Sequence, residues 1–247
     1  MLKLKNTSQD QFLGGKVTAL QPLHGYRAAI DTVLLAAATP LKEGQKVLDV
    51  GAGVGVASLC LAQRDIHCQI CSLEMQPELV QLANQNVELN QYENKIRVIE
   101  GNLESPPQSV LEEKFDVVMT NPPYYEEGKS HPSPHLQKAT SSVESVALKS
   151  WLDFCIRVLK PKGTLTFIHR ADRMDQILSY LYERMGEIVV FPLWPAQGKP
   201  ARRIIIRARK NIKSGLQISQ GLTLHTPHGQ YTPEAEDVLR FGKSLAY

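Results

Sequence analysis

The 247-residue sequence predicts an α/β fold centred on a seven-stranded, mostly parallel sheet with helices on both faces. Three observations lead there. Strand-like apolar runs of five to seven residues alternate with helical segments along most of the chain. One run, Lys46–Val50, passes directly into a glycine-rich turn, and another, 115–121, stops at a double proline; in an open sheet such turns sit at the carboxyl ends of strands, where ligands bind. The composition, 43% hydrophobic and 21% charged, is that of a globular chain with a full-sized core.

In chain order, residues 1–45 are expected to give a strand, a loop and a short apolar helix, Ile30–Ala38, as an amino-terminal extension. The seven sheet strands follow at Lys46–Val50, Gln69–Glu74, Ile96–Glu100, 115–121, 164–169, 187–191 and 203–208. Pro77 opens a helix whose apolar stripe is Leu79, Val80, Leu82, Ala83 and Val87. A second helix, 143–159, is expected to end before the stop signal Pro161-Lys162-Gly163, and a third covers 171–185. No repeat or linker divides the chain, so residues 1–247 are read as one domain.

A net charge of +3 does not by itself demand a polyanionic partner. The amino terminus has no apolar stretch of the kind a secretory signal carries, and no run approaches the roughly 18 apolar residues of a membrane span, so a cytoplasmic protein is expected. Cys68-Gln69-Ile70-Cys71 matches C-x-x-C but lies along a strand, where positions three apart face opposite ways, so buried structural thiols are expected. His131 and His135 are interrupted by Pro132 and Pro134 and read as loop residues, and no metal site is expected.

Two stretches stand apart. Residues 125–140 form a long polar loop of the kind that is usually functional. From 188 to 233 there is no acidic residue but seven basic ones, and along the last strand Arg203, Ile205, Arg207 and Arg209 share one face. Arg203, Arg207 and Arg209 are therefore candidates for contact with the phosphates of a nucleic acid, which give affinity without sequence information.

The chemistry is concentrated in two turns. In Asp49-Val50-Gly51-Ala52-Gly53-Val54-Gly55 the spacing departs from a dinucleotide fingerprint, because Val56 and Ser58 stand where it needs glycine, and no Gly-Lys-Ser/Thr marks a phosphate loop. In Asn121-Pro122-Pro123-Tyr124 neither proline can continue a ladder, so an amide side chain, freed carbonyls and an aromatic ring gather at a strand end. Acceptors beside a π-face suit a planar amino group. Together the two turns suggest methyl transfer to an amino nitrogen.

The first turn resembles the S-adenosylmethionine-binding loop of class I methyltransferases, a Rossmann-like fold with an antiparallel carboxyl-terminal strand. The second resembles motif IV of the members that methylate exocyclic amines of bases or the amide of glutamine. Phe12-Leu13-Gly14-Gly15, Gln21-Pro22-Leu23-His24-Gly25-Tyr26-Arg27, Asp31 to Ala37, Pro192-Leu193-Trp194-Pro195 and Gly198 to Arg203 are similar to the signature of bacterial tRNA N6-adenine methyltransferases. The resemblance implies cofactor contacts from Arg27, Asp49, Gly51, Gly53, Gly55, Glu74, Met75, Asn102, Leu103 and Asn121, with Glu74 on the ribose, Met75 against the adenine, and Asn102 where an aspartate is usual. It implies catalysis by Asn121, Pro122 and Tyr124, with tRNA as partner. Protein glutamine methylation and a non-catalytic RNA-binding protein are the alternatives. The first would usually bring a larger helical substrate domain before the glycine turn; the second has no need of the Asn-Pro-Pro-Tyr turn.

Overall fold

The computed structural model describes residues 6–25, 27–64, 67–123 and 148–247. Tyr26, Tyr124, the 125–140 loop, His131 and His135 lie outside the described residues.

An antiparallel hairpin of β1 (Thr7–Phe12) and β2 (Val17–Pro22) precedes α1 (Ile30–Ala38), so the amino-terminal region holds two strands where one was expected. The seven expected sheet strands follow as β3 (Lys46–Val50), β4 (Gln69–Glu74), β5 (Ile96–Glu100), β6 (Phe115–Thr120), β7 (Leu159–Arg170), β8 (Met185–Ala196) and β9 (Arg203–Lys210). Two short strands, β10 (Gln217–Ile218) and β11 (Leu222–His225), add to β8 and make a nine-stranded sheet. Its order is β10-β8-β9-β7-β6-β3-β4-β5, with β11 also on β8. Only the pairings of β9, to β7 and to β8, are antiparallel.

The described helices are α2 (Val56–Arg64), α3 (Pro77–Leu89), α4 (Gln108–Glu112), α5 (Leu148–Val158), α6 (Met174–Leu181) and α7 (Pro233–Leu239). Strand alternation sends side chains into two core layers. Val47, Met119, Ile168 and Ile205 pack with Leu34, Leu35, Leu59 and Leu61 on one face. Leu48, Val118, Phe167, Ile204 and Ile206 pack with Leu152, Phe154 and Ile177 on the other. Ile204, Ile205 and Ile206 are all 2% exposed or less, so both faces of β9 are covered and its basic face is not a bare surface.

Three boundaries differ from expectation for local reasons. The stop at Pro161-Lys162-Gly163 is a bulge: Leu159 pairs with Phe115, and the ladder resumes only at Thr164 opposite Val117. The helix expected over 171–185 is a 3-10 turn, Ala171–Arg173, followed by α6, which stops at Leu181 because Glu183 adopts φ +62°. The strand expected over 187–191 begins earlier, at Met185, with an irregularity between Gly186 and Val189 where Glu187 has φ +46°.

Two asparagines one turn apart, Asn86 on α3 and Asn90 at its carboxyl cap, join the hairpin to that helix, and Asn86 also reaches the glycine turn. Buried Asn86 accepts from Leu20 N–H at 2.7 Å and donates to Leu20 O at 3.0 Å and Val54 O at 2.9 Å. Asn90 does the same for Thr18, accepting at 3.0 Å and donating at 2.7 Å. Side-chain amides thus take the place of a third strand along β2 and reach the glycine turn through Val54.

Candidate active site

Three adjacent strand ends build the site. β3 lies between β4 and β6, and the pairings of Val50 with Leu73 and with Thr120 bring Gly51, Glu74 and Asn121 to one level. Strands sit about 4.8 Å apart, so Glu74 and Asn121 flank the glycine turn with about 10 Å between their backbones.

Gly51, Gly53 and Gly55 have φ of +71°, +58° and +84°, a region that side chains other than glycine's rarely enter. The N–H groups of Gly51 and Ala52 both donate to Leu73 O, at 2.8 and 3.0 Å, which folds the turn over β4. A Cβ at Gly51 would come within 2.8 Å of the Trp151 ring. The turn therefore has no room for a side chain at Gly51.

Glu74 is 5% exposed. Its Oε2 accepts from Gly53 N–H at 2.9 Å, and its Oε1 accepts from Met75 and Gln76 N–H, each at 2.9 Å. A carboxylate offers about four lone-pair sites. Three backbone donors fix the rotamer and leave Oε2 able to accept once more. The turn after β5 is drawn alongside, since Gly101 N–H donates to Glu74 O at 2.9 Å. Asn102 and Leu103 follow, half-buried, and Asn102 Oδ1 accepts from Glu104 N–H at 2.9 Å with a second lone pair to spare. Met75 is half-buried beside them.

Asp49 lies beneath the turn, 2% exposed, with Oδ2 accepting from Ser58 Oγ–H at 2.8 Å; Ser58 and Ser72 hydroxyls also meet at 2.8 Å. Burial pushes its carboxyl up to about 7, opposed by the Ser58 hydroxyl and reinforced by the charge of Glu74. It supports the turn from below. On the other flank, Thr120 Oγ1 donates to Val50 O at 2.7 Å and accepts the Trp151 indole N–H at 2.8 Å. The end of β6 is thereby tied to the end of β3. The ladder stops there because Pro122 and Pro123 carry no N–H. Asn121 is half-buried, Pro122 buried and Pro123 exposed.

Other expected positions have protein partners of their own. Arg27 is exposed and bonds to Asp10, to Ser8 Oγ at 2.8 Å and to Pro22 O at 2.7 Å, across the hairpin. Arg203 Nε is 3.1 Å from Asp31 Oδ2, linking β9 to α1. The Arg207 guanidinium stacks 3.8 Å above the Tyr247 ring, and Arg209 bonds Glu187 at 3.0 Å and Lys162 O at 3.1 Å. Arg203 pairs with Arg170 at the carboxyl end of β7, whereas Arg209 pairs with Thr164 at its middle, so the three arginines are spread along β9. The four cysteines are free and buried, and burial pushes the Cys60 and Cys71 thiols up to about 12 and about 11.

Sequence reasoning missed Trp151, Thr120, Ser58 and Asn86, which hold the site together. Trp151 is one of two tryptophans, but nothing in the sequence indicates that its ring lies under Gly51. Among the described residues no group of three or more His, Cys, Asp or Glu could hold a metal, and no helix is long and apolar enough to cross a membrane.

The family model for the methyltransferase small domain matches residues 27–188. The chain is similar to the tRNA1(Val) (adenine(37)-N6)-methyltransferase of Aeromonas hydrophila, 27% identical over 211 residues, covering 83% of this chain and 85% of that protein. The protein of the same name from Shewanella baltica is 27% identical over 223 residues, covering 87% and 91%. Among solved structures, the fold is similar to a predicted O-methyltransferase from Agrobacterium tumefaciens, with TM-score 0.72, 22% identity and coverage of 88% and 99%. It is also similar to M. jannaschii TYW2 in complex with AdoMet, with TM-score 0.58, 15% identity and coverage of 86% and 90%. The fold is that of the class I methyltransferases.

Proposed function

From the premise that this chain belongs to the methyltransferase small domain family, we propose that it transfers a methyl group from S-adenosylmethionine to an exocyclic amino nitrogen, N6 of an adenine in tRNA. The observation that carries this reading is the level placement of Gly51, Glu74 and Asn121 on three neighbouring strand ends, with Pro122-Pro123 stopping the third. The similarity to the tRNA adenine methyltransferases of Aeromonas hydrophila and Shewanella baltica supports the substrate.

The residues present fit the cofactor. S-adenosylmethionine supplies an electrophilic methyl group when bound. The bare backbone of Gly51, Gly53 and Gly55 would allow close approach, the remaining Oε2 lone pair of Glu74 would accept from a ribose hydroxyl, and Met75, Asn102 and Leu103 would border the adenine. On the reacting side, the Asn121 amide oxygen and the Pro122 carbonyl accept the two amine hydrogens. This turns the nitrogen lone pair out of conjugation and toward the methyl group. The resemblance to motif IV gives Tyr124, outside the described residues, the part of stacking on the base. Acceptors fixed in advance stabilise the positive charge that grows on nitrogen. The amine is itself the nucleophile: its lone pair forms the N–C bond as the sulfur–methyl bond breaks with its electron pair kept on sulfur, and the methylated nitrogen gives up one proton to solvent. A base inside a stack cannot reach this turn, so the adenine leaves its stack first. A tRNA substrate is in keeping with a cytoplasmic protein.

Mass spectrometry of nucleosides from total tRNA of a deletion strain tests the reaction: one N6-methyladenosine should disappear and return on complementation. Intact N6-methyladenosine, together with methylation of a release-factor glutamine by the purified protein, would replace this reading with protein methylation.

A further inference from the structure

Most cations of this chain are already engaged. Among the described residues, lysines and arginines bind carboxylates, cap carbonyls or lie over rings, with six exceptions: Lys42, Lys162 and Lys213, and Arg173, Lys199 and Arg202. The six fall at opposite ends of the sheet. Lys42 and Lys162 border a cavity of about 560 Å³ at the amino ends of β6, β7 and β8, and Lys213 precedes two further residues of its lining, Ser214 and Gly215. The other three lie at the carboxyl ends, the side of Asn121.

The placement of the second trio follows from register. Thr120 pairs with Phe167, so Asn121 is level with Ile168, and Ile168 is level with Ile205 on β9. Arg202 and Arg203 stand two or three residues farther out, about 7–10 Å above that level and two strands, about 10 Å, to the side. Arg202 O accepts from Ala171 N–H at 3.1 Å, which fixes the 3-10 turn carrying Arg173 against it. Lys199 sits in the turn between β8 and β9, closed by Lys199 N–H to Ala196 O at 3.2 Å. Lys199 and Arg202 are exposed and Arg173 is half-exposed. A cleft of about 470 Å³ lined by Arg170, Asp172, Ala201, Arg202 and Arg203 opens on the same ridge. The acidic group there, Asp172, is bound by Arg170 and also lies in the field of Arg173, and Arg203 is held by Asp31. With five cations and two carboxylates among these groups, the ridge presents an excess of positive charge beside the amine-holding turn.

We propose that Arg173, Lys199 and Arg202 form the surface on which the phosphate backbone of the substrate RNA docks, while Arg203, Arg207 and Arg209 hold β9 in place. This rests on the reading of the reaction as RNA methylation and adds where the RNA lies. An unpaired cation gains from a phosphate by releasing counterions, whereas one already bound to a carboxylate must first give up its partner.

Two triple variants of the full chain decide it: Arg173→Ala/Lys199→Ala/Arg202→Ala, and the opposite-end control Lys42→Ala/Lys162→Ala/Lys213→Ala. Binding of unmodified tRNA is followed by fluorescence anisotropy across salt, with methyl transfer and S-adenosylmethionine affinity measured in parallel. The first variant should bind tRNA at least tenfold more weakly, with the slope of log affinity against log salt reduced by about two to three, and with KM raised far more than kcat falls. The control should match the native protein, and both should keep native cofactor affinity and thermal midpoint. Equal weakening in both variants, or native binding and slope in the first, would overturn the surface. Binding and transfer are read separately, so a native protein that binds tRNA through this ridge but methylates none would refute the reaction and leave the surface standing.

Discussion

Glu74 Oε2 accepts the backbone N–H of Gly53 at 2.9 Å, so the carboxylate at the end of β4 and the middle of the glycine turn after β3 are one hydrogen-bonded unit. Glu74→Ala removes a ligand contact and also strands three backbone donors. Cofactor affinity should fall at least tenfold by calorimetry, and urea unfolding should show a loss of about 1–3 kcal/mol from the orphaned N–H groups. Unchanged affinity would mean that the cofactor lies elsewhere.

Asn121→Ala leaves the backbone of the proline turn intact and deletes one amine acceptor. Turnover should drop on the order of 100-fold, by analogy with loss of one preorganised oxyanion-hole group, while cofactor affinity stays native. Near-native turnover would assign the chemistry to other residues.

Asp49 supplies a pH signature. Its carboxyl is raised to about 7 by burial, so the folded chain holds a proton that the unfolded chain releases near pH 4. The stability it contributes is full below pH 4 and is lost as pH rises through about 7. Asp49→Asn keeps an acceptor for Ser58 and has no proton to lose. Its stability relative to the native chain should therefore improve by about 2–3 kcal/mol between pH 5 and pH 8. Urea unfolding at the two pH values measures this; a pH-independent difference would mean that Asp49 is ionised in the folded protein throughout.

Asn86 and Asn90 separate hairpin attachment from loop support. Both hold β2, but only Asn86 reaches Val54 in the glycine turn. Asn86→Ala should cost about 1–3 kcal/mol and weaken cofactor binding, whereas Asn90→Ala should show a similar or smaller stability loss with native cofactor binding. Matched cofactor affinities in the two variants would remove Asn86 from the site.

Much of this was readable from local chemistry. The seven principal strands, the glycine turn and the proline turn announce themselves through apolar runs, glycine spacing and missing N–H groups. The parts that were not readable depend on contacts distant in sequence. The hairpin strand Val17–Pro22 is completed by amides of α3, some 66 to 72 residues away, and carries no signal of that partner. Trp151 lies under a turn a hundred residues earlier. The arginines of β9 looked like a basic face because alternation reports which side a residue points to, not what already covers that side: Tyr247 for Arg207 and Glu187 for Arg209.

The position of β9 also decides how the far edge of the sheet is attached. Among the described residues, β8 has no ladder to β3, β4, β5, β6 or β7 except through β9, and β10 and β11 have none except through β8. Residues 185–196 and 203–210 are antiparallel neighbours and can pair with each other before either meets β7. The whole of that edge is joined to the rest of the sheet by one ladder, so it stands or falls as a block on the eight residues of β9.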